Sequence, residues 1–111
     1  MANTFKNAYL DVTSSAQTVY TAPSSAGNVG IVLTLRITNV DGATDDTITA
    51  KIVDASSGDA EIAHTMSVPA DTTVELAGTS KIVLEAGDSI QLTGGNSSGD
   101  LEAFVSALEI T

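Results

Sequence analysis

Ser97 is the one serine placed where a hydrolase would put its nucleophile, at the centre of Gly95-Asn96-Ser97-Ser98-Gly99. A G-x-S-x-G elbow requires a strand, a sharp turn and a helix, with an acid and a histidine later in the chain. The single histidine, His64, comes earlier, and Gly/Ser-rich stretches ordinarily form loops, so the pattern reads as a loop. His64 alternates with Ile62 and Met66, which directs it toward a core or its edge. With no second histidine and no cysteine it makes a poor metal site, and with no orienting partner a poor general base. Asp41, Asp45, Asp46, Asp54, Asp59 and Glu61 fall in two consecutive inter-strand turns. Carboxylates converging from neighbouring loops suit Ca²⁺, which takes about six to eight oxygens. The EF-hand spacing is absent, however, and Asp is a common turn former in its own right. Asn96-Ser97-Ser98 is a glycosylation sequon, relevant only in an exported chain. No enzyme, no cofactor and no metal are therefore expected, with a calcium-dependent binding or adhesion module as an alternative.

Whatever positions these residues must fit in 111 residues, the length of one domain. The hydrophobic share of 42% is too high for a disordered acidic chain, and the 4% of aromatics leaves the core to Val, Ile, Leu and Ala. A net charge of −10, with only Lys6, Arg36, Lys51 and Lys81 as cations, argues against nucleic acid and anionic membranes as partners. Without cysteine the chain forms no disulfide and is indifferent to redox compartment. Met1 to Lys6 shows no apolar signal-peptide core, and no apolar run approaches the roughly 20 residues of a membrane span.

The dominant periodicity is two. From Gly30 to Asn39, Ile31, Leu33, Leu35 and Ile37 alternate with Val32, Thr34, Arg36 and Thr38, predicting one buried and one Thr-rich face. Ile48, Ala50 and Ile52 alternate likewise with Thr47, Thr49 and Lys51. The intervening Asp41-Gly42 is a turn signal, so the two segments are expected to form an antiparallel hairpin. Further short strands are predicted at 8–12, 17–21, 61–68, 73–76, 81–84 and 89–93, separated by Pro/Gly/Asp turns such as Ala55 to Asp59 and Glu85 to Asp88. The last segment carries Leu101, Phe104, Val105 and Leu108 at helical spacing with Asp100 as a possible N-cap. As a strand it places Phe104, Ser106, Leu108 and Ile110 on one face and Leu101, Ala103, Val105 and Ala107 on the other. The strand reading fits the surrounding β pattern, and two apolar faces imply a central position or a partner's cover. The expected fold is all-β: a single antiparallel β-sandwich, immunoglobulin-like or jelly-roll-like, of about 8 short strands. Residues 1–12 are expected as an N-terminal arm or first strand, and 13–111 as the sandwich.

Aromatic residues are few, and Tyr and Phe are enriched at protein interfaces. Phe5, Tyr9 and Leu10 near the N-terminus, with Phe104, Leu108 and Ile110 on the last segment, are the candidate protein interface. Deletion of residues 1 to 10 is expected to abolish partner binding while the domain still folds.

Several stretches resemble small structural proteins of tailed bacteriophages: Thr13-Ser14-Ser15-Ala16-Gln17-Thr18-Val19-Tyr20-Thr21-Ala22-Pro23, Ile31 to Asp41, Val68-Pro69-Ala70-Asp71, Leu84 to Ile90 and Leu108-Glu109-Ile110-Thr111. These are strand and turn patterns spanning nearly the whole chain. The resemblance implies an immunoglobulin-like sandwich acting as a capsid decoration (cement) protein. Such a protein is made in the host cytoplasm and carried in the virion, where it binds the major capsid protein or other virion proteins as a dimer or trimer. A tail, neck or fibre component is the alternative within the virion. The group has no residue-level motif to carry over.

Overall fold

The computed structural model describes residues 2–56, 58–78, 80–97 and 99–111. Its regular structure is entirely β: β1 (Asn3–Val12), β2 (Gln17–Thr21), β3 (Val29–Asn39), β4 (Asp46–Asp54), β5 (Gly58–Val68), β6 (Thr73–Glu75), β7 (Ile82–Glu85), β8 (Ser89–Gly94) and β9 (Leu101–Ile110). Sheet 1 has the order β1-β9-β3, with β6 and β7 both on the free side of β3, and sheet 2 has the order β2-β8-β4-β5. The pairing is nested. The first strand pairs with the last, β2 with β8, β3 with β6 and β7, and β4 with β5. A long hairpin with its tip between β4 and β5 is thus rolled into two layers, which is a jelly roll. The immunoglobulin-like alternative is set aside by this order, because β1 and β2 lie in opposite sheets instead of pairing with each other.

The expected hairpin between Gly30–Asn39 and Thr47–Ile52 does not form. β3 belongs to sheet 1 and β4 to sheet 2, facing each other across the core. Alternating patterns suit two facing strands as well as two adjacent ones, so periodicity alone did not separate the cases. The connection arches between layers because Asn39 and Asp41 give it that shape. Asn39, only 1% exposed, donates from Nδ2 to the carbonyls of Thr44 (3.0 Å) and Val68 (2.9 Å) and accepts at Oδ1 from Asp41 N–H (2.9 Å). Asp41 Oδ1 in turn accepts from the N–H groups of Ala43 (2.8 Å) and Thr44 (3.1 Å). Those two backbone donors, chiefly, hold the Asp41 carboxyl below its ordinary value of 3.8.

Bulges decide which side chains reach the core. In β3 the register against β9 shifts between Val32 and Thr34, so the inner face runs Val32, then Leu35, Ile37 and Asn39, all buried. Ile31, assigned to the inner face by simple alternation, is therefore on the outside. In β2 a shift at Thr18/Tyr20 turns both Val19 and Tyr20 inward. β5 has two shifts against β4 and a left-handed Thr65 (φ 41°). This turns His64 outward, where its Nδ1 lies 2.9 Å from Glu61 Oε1, instead of coreward with Ile62 and Met66. The core between the layers is mainly aliphatic, built on Leu35, Ile37, Ile48, Leu84, Ile90, Leu92 and Leu101, with Tyr20 its one buried aromatic among the described residues. Ser57 of the β4–β5 turn and Ser98 of the Gly/Ser-rich loop lie outside the described residues.

Candidate functional site

β9 is a strand, and a central one, between β1 and β3. Its Leu101, Ala103, Val105 and Ala107 are buried in the core, which leaves Phe104, Leu108 and Ile110 on the outer face of sheet 1. Directly opposed residues of antiparallel strands share a face, so the registers fix what that face displays. One row runs Phe5, Leu108, Ile31, Val83 across β1, β9, β3 and β7. It is apolar throughout, with Phe5 76% and Val83 62% exposed at its ends. The next row, Asn7, Ser106 and Thr34, is polar and uncharged. Beyond it lie Tyr9, Phe104, Arg36 and Glu75. Tyr9 is 73% exposed, and its ring meets that of Phe104 at 5.4 Å between centroids, tilted by 41°. On the other side of the Phe5 row, Ile110 and Val29 extend the apolar area. The outer face of sheet 2 has the opposite character: Thr49 stands beside Thr93 and Lys51 beside Gln91.

Five of the six candidate interface residues, Phe5, Tyr9, Phe104, Leu108 and Ile110, therefore share the outer face of sheet 1. Leu10 does not. It alternates to the inner side of β1, opposite buried Ala103, and packs against the core. Val29, Ile31 and Val83 complete the face and were not expected there. The β3 bulge hid Ile31, and a four-residue strand such as β7 gives too short a pattern to phase. Residues 3–12 pair with β9 along their entire length, and Val12 is fully buried. Deleting residues 1 to 10 would therefore uncover β9, not simply remove an arm, and point substitutions at Phe5 and Tyr9 are the proper probe of this surface.

The acidic residues expected to converge are dispersed. Asp41, Asp45 and Asp46 lie in the connection leading into β4 and at its first residue, and Asp54 and Asp59 lie at the far end of this nine-residue strand. Asp45 accepts from Ala70 N–H (3.0 Å), Asp59 pairs with Lys51 (3.1 Å) and Glu61 with His64. Asp46, 6% exposed, accepts at Oδ1 from the N–H groups of Thr47 (2.7 Å) and Gly95 (3.0 Å), tying β4 to the β8–β9 loop. Asp54 instead meets Glu85 and Asp88, which the sequence grouping had left out, with carboxylate oxygens within 4.8 Å of one another. Turn bonds engage these groups: Asp88 accepts from Ala55 N–H and Glu85 N–H (3.1 Å each), and Asp54 from Ser56 N–H (2.8 Å).

Tyr20 is a core aromatic, and its hydroxyl donates to Glu109 Oε2 at 2.7 Å. Burial first, then the bond and the charge of Glu109, push its phenol well above the ordinary value of 10.0. Among the described residues no helix is long and apolar enough to cross a membrane.

No protein-family model matches the chain, and no curated protein does. Solved structures similar to it in fold include the following two. One comes from Bacillus endospore appendages, described as disulfide-linked pili, with a TM-score of 0.58 and 10% identity over 99% of this chain and 87% of that one. The other comes from the Gx strain of infectious bursal disease virus, with a TM-score of 0.55 and 12% identity over 98% of this chain and 30% of that one. The disulfide linkage of the former has no counterpart here, since this chain contains no cysteine. At such identities the likeness is one of fold, a single β-sandwich matched over nearly all of this chain.

Proposed function

We propose that this chain is a non-catalytic structural subunit of a virion, a capsid decoration protein that meets its partner through the outer face of sheet 1. The observation that carries this reading is the row Phe5, Leu108, Ile31, Val83, an apolar stripe across four strands of an otherwise acidic molecule. Exposed apolar patches with polar rims mark interaction surfaces. A jelly roll is a fold that capsids use, and both structural neighbours come from assemblies, pili in one case and a virus in the other. The net charge of −10 disfavours the packaged nucleic acid as partner and leaves protein. Many copies on one particle would let a modest contact per subunit hold firmly, because linked contacts raise effective concentration.

Quantitative mass spectrometry of purified particles against the major capsid protein tests this directly. A copy number comparable to that of the capsid subunit is expected, together with loss of binding by Phe5→Ser and Val83→Ser variants that keep their thermal midpoint. A few copies per particle would move the protein to the tail, neck or fibres. Its absence from particles would end the virion reading.

A further inference from the structure

We propose that β1 pairs antiparallel with β1 of a second copy about a two-fold axis through Asn7, joining the two copies of sheet 1 into one continuous sheet. The contact gives the assembly reading above a specific second copy as partner, but its evidence is separate and lies in the sheet edges. Native sheets blunt exposed edges with short strands, bulges and charge. On its far side sheet 1 ends in β6 and β7, three and four residues long. Sheet 2 ends in β2, five residues with a bulge, and in β5, which has two bulges, a left-handed Thr65 and the exposed Asp59, Glu61 and His64. β1 has none of these protections except the single charge of Lys6 and that of Asp11. It runs ten residues in unbroken register with β9 on one side and, among the described residues, has no strand on the other.

The side chains of β1 then select the register. In a two-fold antiparallel pair centred on residue 7, each residue lies opposite the one equally far beyond the centre on the partner. Phe5 and Tyr9 are two residues to either side of Asn7, on the same outer face, and are the two most exposed aromatics. Each Phe5 therefore lies across from Tyr9 of the partner subunit, twice per dimer, the aromatic cross-strand pairing that favours strand association. Lys6 falls opposite the partner's Ala8, and Asp11 opposite the partner's Asn3, so no like charges are directly opposed. The stripe Val83, Ile31, Leu108, Phe5 then continues through Tyr9 of the partner subunit.

Because the chain has no cysteine, single substitutions report the contact cleanly. Under mild oxidation the Asn7→Cys variant is expected to form a covalent dimer at least about tenfold faster than Asn3→Cys or Asp11→Cys alone, since only residue 7 meets its own copy. A mixture of Asn3→Cys and Asp11→Cys is expected to cross-link where neither does alone. Phe5→Glu in the Asn7→Cys background is expected to abolish the fast cross-link while leaving the thermal midpoint unchanged. Equal rates at all three positions, or fastest reaction at residue 3 or 11, would overturn the pairing. Particle association is read independently. Slow cross-linking with particle binding intact sinks this inference alone, and fast cross-linking by a protein absent from particles sinks the virion reading alone.

Discussion

At Gly30 the chain passes so close to Tyr20 that a side chain has no room. A Cβ there would lie 2.8 Å from the Tyr20 hydroxyl oxygen and 3.2 Å from the Ala22 Cβ. The end of a tyrosine ring could ordinarily yield, but this hydroxyl is held by its 2.7 Å bond to Glu109. Gly30→Ala is expected to destabilise by about 1–3 kcal/mol through overpacking. Tyr20→Phe is expected to cost about 1–3 kcal/mol, since it leaves a part-buried carboxylate without its donor. The two effects share one atom, so Gly30→Ala should cost less in the Tyr20→Phe background than in the native protein. Urea denaturation of the four proteins checks this, and strictly additive losses would show that Ala22, not the hydroxyl, sets the limit.

At the level of the strand, the bulge in β3 explains both what could be read from the sequence and what could not. Strand existence was readable nearly everywhere, because Val/Ile/Thr alternation and Pro, Gly and Asp turns are local signals. Gln17–Thr21 emerges with the predicted boundaries. β9 is central, as its two apolar faces implied. Face and neighbour were less readable. One extra residue at Leu33 reverses the phase, so Ile31 faces out while Leu35 and Ile37 face in. The layer change after Asn39 depends on a buried amide and an Asp loop that a turn signal does not distinguish from a hairpin. The outer face of sheet 1 was readable where strand alternation is unbroken, in β1 and β9, and lost where it is interrupted. The same geometry predicts an asymmetry between two deletions. Removing Leu33 heals the bulge, since Val32 and Thr34 already oppose the consecutive residues Ala107 and Ser106. Both inner faces survive, and the variant should remain cooperatively folded. Removing Arg36 offers no bulge to heal and drives Ile37 and Asn39 out of phase with Leu35, which should cost more than about 4 kcal/mol. Thermal unfolding followed by circular dichroism distinguishes them, and equal damage from the two would mean that the bulge's curvature is itself required for closure.

For the whole molecule, the charge of −10 opposes every contact between copies. A surface on which two copies meet must therefore be locally neutral, and the rows of Phe5 and Asn7 carry no ionisable side chain. The ionisable groups of this face gather instead at one end, on Asp11, Glu102, Arg36 and Glu75, with Glu85 at the other. Association through β1 then gains from apolar and main-chain contacts and loses to a long-range repulsion that salt screens. Raising ionic strength from about 0.01 M to 0.15 M shortens the Debye length from roughly 30 Å to 8 Å. The dimer dissociation constant measured by sedimentation equilibrium should fall severalfold over that range, with the Phe5→Glu variant monomeric throughout. An interface held by ion pairs responds in the opposite sense, so weakening with salt would relocate the contact to the charged ends of the sheet. On a particle decorated as proposed, neighbouring acidic copies would crowd one another, and the same sign is expected. Screening there should raise occupancy at a fixed protein concentration, up to the number of sites the particle offers.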